Sequence, residues 1–201
     1  SADLFLETTD LPCWRHGEWL HLCSIALSAE PSRTSAFTAM TAIRHAGGFV
    51  SFDPNIREDL WQDEHLLRLC LRQALQLADV VKISEEEWRL ISGKTQNDRD
   101  ICALAKEYEI AMLLVTKGAE GVVVCYRGQV HHFAGISVNC VDSTGAGDAF
   151  VAGLLTGLSS TGLSTDEREM RRIIDLAQRC GALAVTAKGA MTALPCRQEL
   201  E

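Results

Sequence analysis

The residues best suited to chemistry lie in one glycine-rich stretch, Asp142-Ser143-Thr144-Gly145-Ala146-Gly147-Asp148. An apolar, β-branched run precedes it, and a long run rich in alanine, leucine and glycine follows. This order predicts a strand, a tight turn and a buried helix. The first amides of a helix lack internal partners and lie at the positive end of its dipole, so they can bind phosphate oxygens. Asp148 would then lie in the first turn, within reach of the ligand. The alternative is an ordinary turn in which Thr144 or Ser143 caps the helix.

Three further segments carry unusual residues directly after short apolar runs that we predict to be strands: 53–57, 84–87 and 116–121. Ligands of open α/β sheets bind at the carboxyl ends of the strands, so we expect these loops and the glycine-rich stretch to lie at one sheet edge. Each segment also has a structural interpretation. Arg57 can be a surface arginine beside a packed Trp61, and Glu87 can form a capping box with Ser84 instead of ordering magnesium.

Alternation of strand and helix along the chain predicts an α/β protein with a mostly parallel sheet. We expect a helix to start near Pro31. The remaining predicted helices are 63–78, 98–108 and 165–188, and the remaining strands are 19–25, a hairpin at 122–126 and 129–133, and 193–195. Periodic apolar residues and turn signals at their ends support these assignments.

Composition narrows the classes of function. The chain has 201 residues, 47% of them hydrophobic and 23% charged, which is typical of a globular domain. A net charge of -8 argues against a nucleic-acid partner, and no apolar run reaches the roughly 20 residues that span a bilayer. The opening residues lack the basic segment of a signal peptide, so we expect a cytoplasmic protein. The eight cysteines form no CxxC pair and are expected to be reduced, mostly buried thiols.

The four loops, in this order, resemble those of the ribokinase-like (PfkB) carbohydrate kinase family. Asp142–Phe150 is similar to its C-terminal signature, whereas Asp53–Arg57 and Lys82–Glu87 are most similar to its branch of bacterial fructokinases of sucrose utilisation. The resemblance implies a three-layer α/β/α fold with a mostly parallel central sheet. Family members begin with strands and a β-lid that have no counterpart here. We therefore expect residues 1–201 to be the C-terminal two-thirds of a single kinase domain, and to be inactive alone.

The resemblance implies ATP-dependent phosphorylation of a sugar hydroxyl, with D-fructose to fructose 6-phosphate as the first expectation. Asp148 would be the general base, and the amides of Gly145, Ala146 and Gly147 would form the anion hole. Arg57 would contact the sugar or the γ-phosphate. Nucleotide contacts are implied for five residues: Thr116, Gly118, Gly121, Gly189 and Ala190.

The family's magnesium-linked Asn-x-x-Glu motif falls on Ser84 and Glu87, so Glu87 would hold Mg²⁺ through water. Asp142 and Thr144 lie where many members bind a monovalent cation, and the sequence leaves K⁺ open. The implied partners are a small sugar and ATP, without nucleic acid or membrane, and the full-length protein can form a homodimer through the lid. Two alternatives stay open. One is a kinase of 2-keto-3-deoxygluconate, an aminoimidazole riboside or ribose; the other is a non-catalytic nucleotide- or sugar-binding module, against which Asp148 argues because such a module needs no base.

Overall fold

A computed structural model of the chain describes residues 2–163 and 166–200. Its strands are β1 (Trp19–Cys23), β2 (Phe49–Asp53), β3 (Val80–Ser84), β4 (Met112–Thr116), β5 (Gly121–Tyr126) and β6 (Gln129–Ala134). Its helices are α1 (Ser32–His45), α2 (Glu64–Leu77), α3 (Glu85–Ser92), α4 (Asp98–Glu107), α5 (Ala146–Thr161), α6 (Glu167–Ala184) and the short α7 (Arg197–Leu200). Single turns of 3-10 helix occur at Ala2–Phe5, Thr8–Asp10, Ser24–Leu27, Glu58–Leu60 and Gly118–Glu120.

Within the described residues the strands form one six-stranded sheet in the order β1-β2-β3-β4-β5-β6. The pairs β1–β2, β2–β3 and β3–β4 are parallel, and helices connect these strands. Arg127 and Gly128 join β5 to β6 and both have positive φ, 51° and 74°, as a type I′ hairpin turn requires. The predicted mostly parallel α/β sheet is confirmed.

The described chain divides into two compact units, and the first comprises the residues up to Thr116 together with Val123–His131. Its core is continuous and contains the fully buried side chains of Phe52, Trp88 and Leu113. Strand β4 contributes an unbroken apolar run, Met112 to Val115, with every residue buried. An unbroken apolar sequence is typical of a strand in a parallel sheet, because both faces of the strand are covered.

The second unit comprises Lys117–Val122 and the described residues from His132 onward. Helices α5 and α6 dominate it, and glycines bring them close together. A Cβ added at Gly153 would lie 2.9 Å from Cα of Ala177, and one at Gly157 would lie 2.7 Å from a side-chain carbon of Ile173. The strong hydrophobicity of α5 follows from this packing, since several of its apolar residues are buried.

Two sequence predictions are wrong, and a third is wrong in part. The strand predicted before Asp142 does not form: β6 ends at Ala134, and the amides of Val141 and Asp142 donate instead to the carbonyl of Val185. Val141 is 56% exposed, so this apolar segment lacks the packing that makes a β-branched run a strand. Residues 193–195, a predicted strand, are turn and irregular backbone for the same lack of a sheet partner. Helix α6 ends at Ala184 rather than 188, and the predicted start at residue 165 lies outside the described residues.

The cysteines are free thiols, as expected, but their burial differs from the prediction. Cys70, Cys125 and Cys180 are buried, whereas Cys13, Cys140 and Cys196 are exposed. The exposed ones lie in loops, where a neighbouring apolar residue in the sequence does not imply a core position. Among the described helices, none combines the length and the hydrophobicity that crossing a membrane would need.

Candidate active site

The glycine loop, defined as residues 143–147, is fixed to the second unit by Asp142. Oδ1 of Asp142 accepts hydrogen bonds from the hydroxyl of Thr144 at 2.7 Å and from its amide at 3.0 Å. Oδ2 accepts the amide of Gly189 at 2.9 Å. The Thr144 hydroxyl first, and then the two amides, hold the pKa of Asp142 below its usual value. One carboxylate thus joins the glycine loop to the 189–190 segment.

Gly145 is the N-cap of α5 and has a left-handed backbone, with φ 81°. A Cβ here would lie 2.9 Å from the carbonyl oxygen of Ala190 and 3.0 Å from its Cα. Only glycine fits this close backbone approach. Asp148 lies in the first turn of α5 and is exposed, so its carboxylate is accessible at the positive end of the helix dipole.

The amide of Ala146 donates to the carbonyl of Ser143 at 3.2 Å. This bond closes the turn in which the glycine loop enters α5. The arrangement places the backbone of Gly145, Ala146 and Gly147 at a helix start next to Asp148, which is suited to binding an anion.

A second turn of the same unit contains two of the predicted nucleotide contacts. Gly118 begins the 3-10 turn, and Gly121 closes it, since the amide of Lys117 donates to the carbonyl of Gly121 at 2.8 Å. At Gly121 the backbone runs against that of Phe133, whose carbonyl oxygen a Cβ would overlap. Thr116, the preceding residue, ends β4 in the first unit, where its hydroxyl donates to the carbonyl of Ile83 at 3.4 Å.

In the first unit, Arg57 is exposed and ends the arginine loop, defined as residues 54–57. Glu87 is in contact with this loop. Its Oε1 accepts the amide of Ile56 and its Oε2 the amide of Ser84, each at 2.8 Å, while the Ser84 hydroxyl accepts the Glu87 amide at 3.2 Å. The predicted capping box is confirmed, and Glu87 has the additional contact with Ile56 that no local pattern indicates.

Directly before the arginine loop, Asp53 forms a buried ion pair that the sequence did not predict. Nζ of Lys82 is 3.1 Å and 3.3 Å from the two carboxylate oxygens of Asp53. Burial raises the pKa of Asp53, although the Lys82 ammonium opposes the rise. The available signal was a lysine inside the apolar strand Val80–Ser84, since a charged residue is rarely buried there unless it is paired.

The carboxylates differ in how well they suit the implied cations. Both oxygens of Glu87 already accept an amide, and each keeps a lone pair for a metal-bound water, so Glu87 fits water-mediated Mg²⁺ rather than direct ligation. In the part of the chain that the structure describes, no group of three or more His, Cys, Asp or Glu side chains could hold a metal ion. Asp142 and the Thr144 hydroxyl offer oxygens suited to a monovalent cation, which backbone carbonyls could complete.

Contacts therefore join some of the predicted residues into two groups, one in each unit. The second unit brings together Asp142, Thr144, the glycine loop and Gly189 with Ala190. In the first unit, Glu87 is joined by a hydrogen bond to Ile56, the residue before Arg57.

Comparison with known proteins assigns the family. The sequence model of the pfkB family carbohydrate kinases matches residues 6–197, nearly the whole chain. The chain belongs to the pfkB family of carbohydrate kinases. The ribokinase-like α/β fold predicted from the sequence is thereby confirmed, with its mostly parallel sheet.

Several pfkB family members are close relatives. The chain is 99% identical over 201 residues to a fructokinase of Escherichia coli and 56% identical to one of Klebsiella pneumoniae. Each alignment covers 100% of this chain and 66% of the relative, so the chain spans about two thirds of the length of these curated relatives.

Solved structures of pfkB family members have the same fold as this chain. A double-mutant fructokinase from Vibrio cholerae O395, crystallised with fructose, ADP and potassium ion, superposes with a TM-score of 0.93 at 44% identity, over 100% of this chain and 64% of that one. The aminoimidazole riboside kinase from Salmonella enterica, complexed with aminoimidazole riboside and an ATP analog, has a TM-score of 0.90 at 35% identity, over 98% of this chain and 66% of that one.

Proposed function

We propose that this chain is the phosphoryl-transfer part of an ATP-dependent fructokinase that converts D-fructose to fructose 6-phosphate. The observation that carries the proposal is the start of α5, where a glycine loop anchored by Asp142 precedes the accessible carboxylate of Asp148. A cradle of backbone amides beside a carboxylate can stabilise a transferring phosphoryl group and accept a proton. Fructose is favoured over other sugars because the chain is 99% identical to a protein named fructokinase.

In this proposal Asp148 accepts the proton of the sugar hydroxyl as that oxygen attacks the γ-phosphorus of ATP. The amides of Gly145, Ala146 and Gly147 donate to the phosphoryl oxygens as charge develops on them. The Asp142 carboxylate holds the glycine loop that carries these donors, and the Ala146 amide exchanges its bond to the Ser143 carbonyl, 3.2 Å long here, for one to the phosphoryl group. Arg57 contacts the sugar or the γ-phosphate through its guanidinium, which suits phosphate oxygens.

The ATP and its cations are assigned to the remaining residues. Thr116, Gly118, Gly121, Gly189 and Ala190 contact the nucleotide. When bound, Mg²⁺ would neutralise charge on the ATP phosphates. Glu87 would hold the water shell of Mg²⁺, while Asp142 and Thr144 would contribute to a K⁺ site. The similar Vibrio cholerae fructokinase, crystallised with ADP and potassium ion, supports a nucleotide and a monovalent ion.

The decisive experiment replaces Asp148 by asparagine in a full-length protein that carries residues 1–201. We expect ATP binding to persist while fructose-dependent ADP release falls by orders of magnitude, because asparagine cannot accept the proton. Asp166→Asn is the matched control: Asp166 caps α6, and asparagine caps equally well, so its rate should stay at the wild-type level. An Asp148→Asn enzyme as fast as wild type would exclude Asp148 as the base.

A substrate panel tests the choice of sugar. Fructose should give the highest kcat/KM, ahead of 2-keto-3-deoxygluconate, ribose and the aminoimidazole riboside that the relative at 35% identity is named for. We also expect the isolated 201 residues to show little turnover. Gel filtration and cell fractionation of the full-length protein test the proposed homodimer and cytoplasmic location.

A further inference from the structure

The arginine loop adopts a backbone that does not hold itself in place. Residues 54–57 have no regular secondary structure, and Asn55 has φ 40°, a left-handed conformation that is uncommon outside glycine. Arg57 follows immediately, so the position of its guanidinium depends on what fixes this loop.

The loop is held near both of its ends. The carbonyl of Pro54 accepts the amide of Ser24 at 3.0 Å, and the Ile56 amide donates to Glu87 at 2.8 Å. The loop also continues directly from Asp53, the last residue of β2. A movement of Asp53 would therefore shift the left-handed turn at Asn55 and, with it, Arg57.

Asp53 is itself fixed by a buried partner of opposite charge. It is 2% exposed, and Lys82, 8% exposed, lies 3.1 Å and 3.3 Å from its two oxygens. Asp53 is the last residue of β2, and Lys82 lies on the neighbouring strand β3. The pair therefore fixes the end of β2 from which the loop starts. Removing one member of a buried ion pair leaves the other uncompensated, and the carboxylate would then rearrange or take up a proton.

Building on the proposed role of Arg57, we propose that Asp53 and Lys82 are positioning residues for phosphoryl transfer. Lys82 holds the Asp53 carboxylate at the end of β2, this contact fixes the point where the loop leaves the sheet, and the loop then presents Arg57 to the sugar or the γ-phosphate. Both side chains are buried, so we assign neither of them a contact with a reactant. A displacement of Arg57 by about 1 Å would lower the rate by up to about 100-fold, because catalytic groups act only in a narrow geometry.

A double-mutant cycle in the full-length protein tests this chain of contacts. The variants are Lys82→Met, Arg57→Ala and the two combined, with kcat and KM measured for fructose and ATP. We expect Lys82→Met to lower kcat/KM by about tenfold or more when Arg57 is present. In the Arg57→Ala background the same change should alter kcat/KM by no more than about twofold, because residues that act through one another are not additive.

Arg44→Met is the matched control. It breaks another ion pair of the same unit, Arg44 with Asp79 at 3.3 Å, without touching the arginine loop. It should leave kcat/KM within about twofold of its parent in both backgrounds. If Lys82→Met alone fails to fold, the same cycle is run with Asp53→Asn and Lys82→Met combined, which removes both charges and leaves neither unpaired.

The outcomes separate the two levels of the hypothesis. An active wild-type enzyme in which Lys82→Met lowers kcat/KM equally with and without Arg57 would overturn the positioning role and leave fructokinase activity intact. An equal loss from Arg44→Met would overturn it too. A full-length wild-type protein that does not phosphorylate fructose would instead refute the proposed function, and this inference with it.

Discussion

Replacing Gly145 by alanine should disrupt the start of α5 and the segment packed against it. The new Cβ would lie 2.9 Å from the carbonyl oxygen of Ala190, 3.0 Å from its Cα and 3.1 Å from its Cβ. Two of these atoms are backbone, and Asp142 holds their segment through the amide of Gly189 at 2.9 Å. Relief of the overlap would therefore require that hydrogen bond to lengthen.

The expected loss of stability has two parts. An L-residue in the left-handed conformation, here φ 81°, costs about 1–2 kcal/mol. The smaller entropy of the unfolded chain offsets about 0.4–1 kcal/mol of this. Crowding against a fixed backbone adds about 1–3 kcal/mol. Together these terms lower the free energy of unfolding by about 1–5 kcal/mol, with a middle value of about 3 kcal/mol.

Gly93→Ala isolates the first part. Gly93 follows α3 with φ 66° and ψ 13°, in the same left-handed region as Gly145, and no neighbouring atom of the described residues lies within 4 Å of its Cβ position. This variant should therefore lose only about 1 kcal/mol.

Urea unfolding followed by circular dichroism gives both differences in the full-length protein. Adding Ala190→Gly to the Gly145→Ala variant removes one of the three close contacts and should recover part of the stability. If Gly145→Ala and Gly93→Ala lose the same stability, the close approach of the Ala190 backbone is not what requires glycine at position 145.

Three further predictions concern side-chain environments. Glu87→Gln should lower the free energy of unfolding by about 1–3 kcal/mol in urea, because the glutamine side chain has one oxygen where Glu87 has two, and one of the two bound backbone N–H groups is left unpaired. Glu86→Gln, at an exposed position, should leave the free energy of unfolding unchanged. The pKa of Asp142 is lower in the folded protein than in the unfolded chain, so its charged form stabilises the fold above the unfolded-state pKa and this stabilisation is lost as the pH falls. The difference in unfolding free energy between wild type and Asp142→Asn should therefore shrink below about pH 4, and a difference that does not change with pH would contradict this. Burial, then a neighbouring thiol, raises the pKa of Cys125 to about 12, so iodoacetamide at about pH 8 should alkylate exposed Cys140 and spare Cys125, as read by mass spectrometry.

Local sequence patterns predicted the elements and the caps well. The spacing of Ser84 and Glu87 predicted the capping box, and the two-residue turn at Arg127-Gly128 predicted the hairpin. These succeeded because each depends on residues only a few positions apart. The strand predicted before Asp142 failed because an apolar run becomes a strand only when a neighbour covers it, and Val141 remains exposed.

Contacts between distant residues could not be predicted in this way. Gly145 meets Ala190, and Asp53 pairs with Lys82, across stretches of chain whose geometry is set by packing and strand register. The sequence showed a glycine and a buried lysine that needed explanations, but it did not identify the partners. The family resemblance supplied roles for the exposed residues, whereas the supporting contacts came from the fold.

The order of the strands has a consequence for how this sheet is made. Across the described residues, each strand pairs with the strand that precedes it in the chain. As the chain leaves the ribosome, every strand from β2 to β6 can pair with a neighbour that is already made. Among the described strands none has to insert between two earlier ones, so each new pairing closes only the one connection before it. The sheet can therefore grow in the direction of synthesis, with α1 to α4 covering each addition as it arrives.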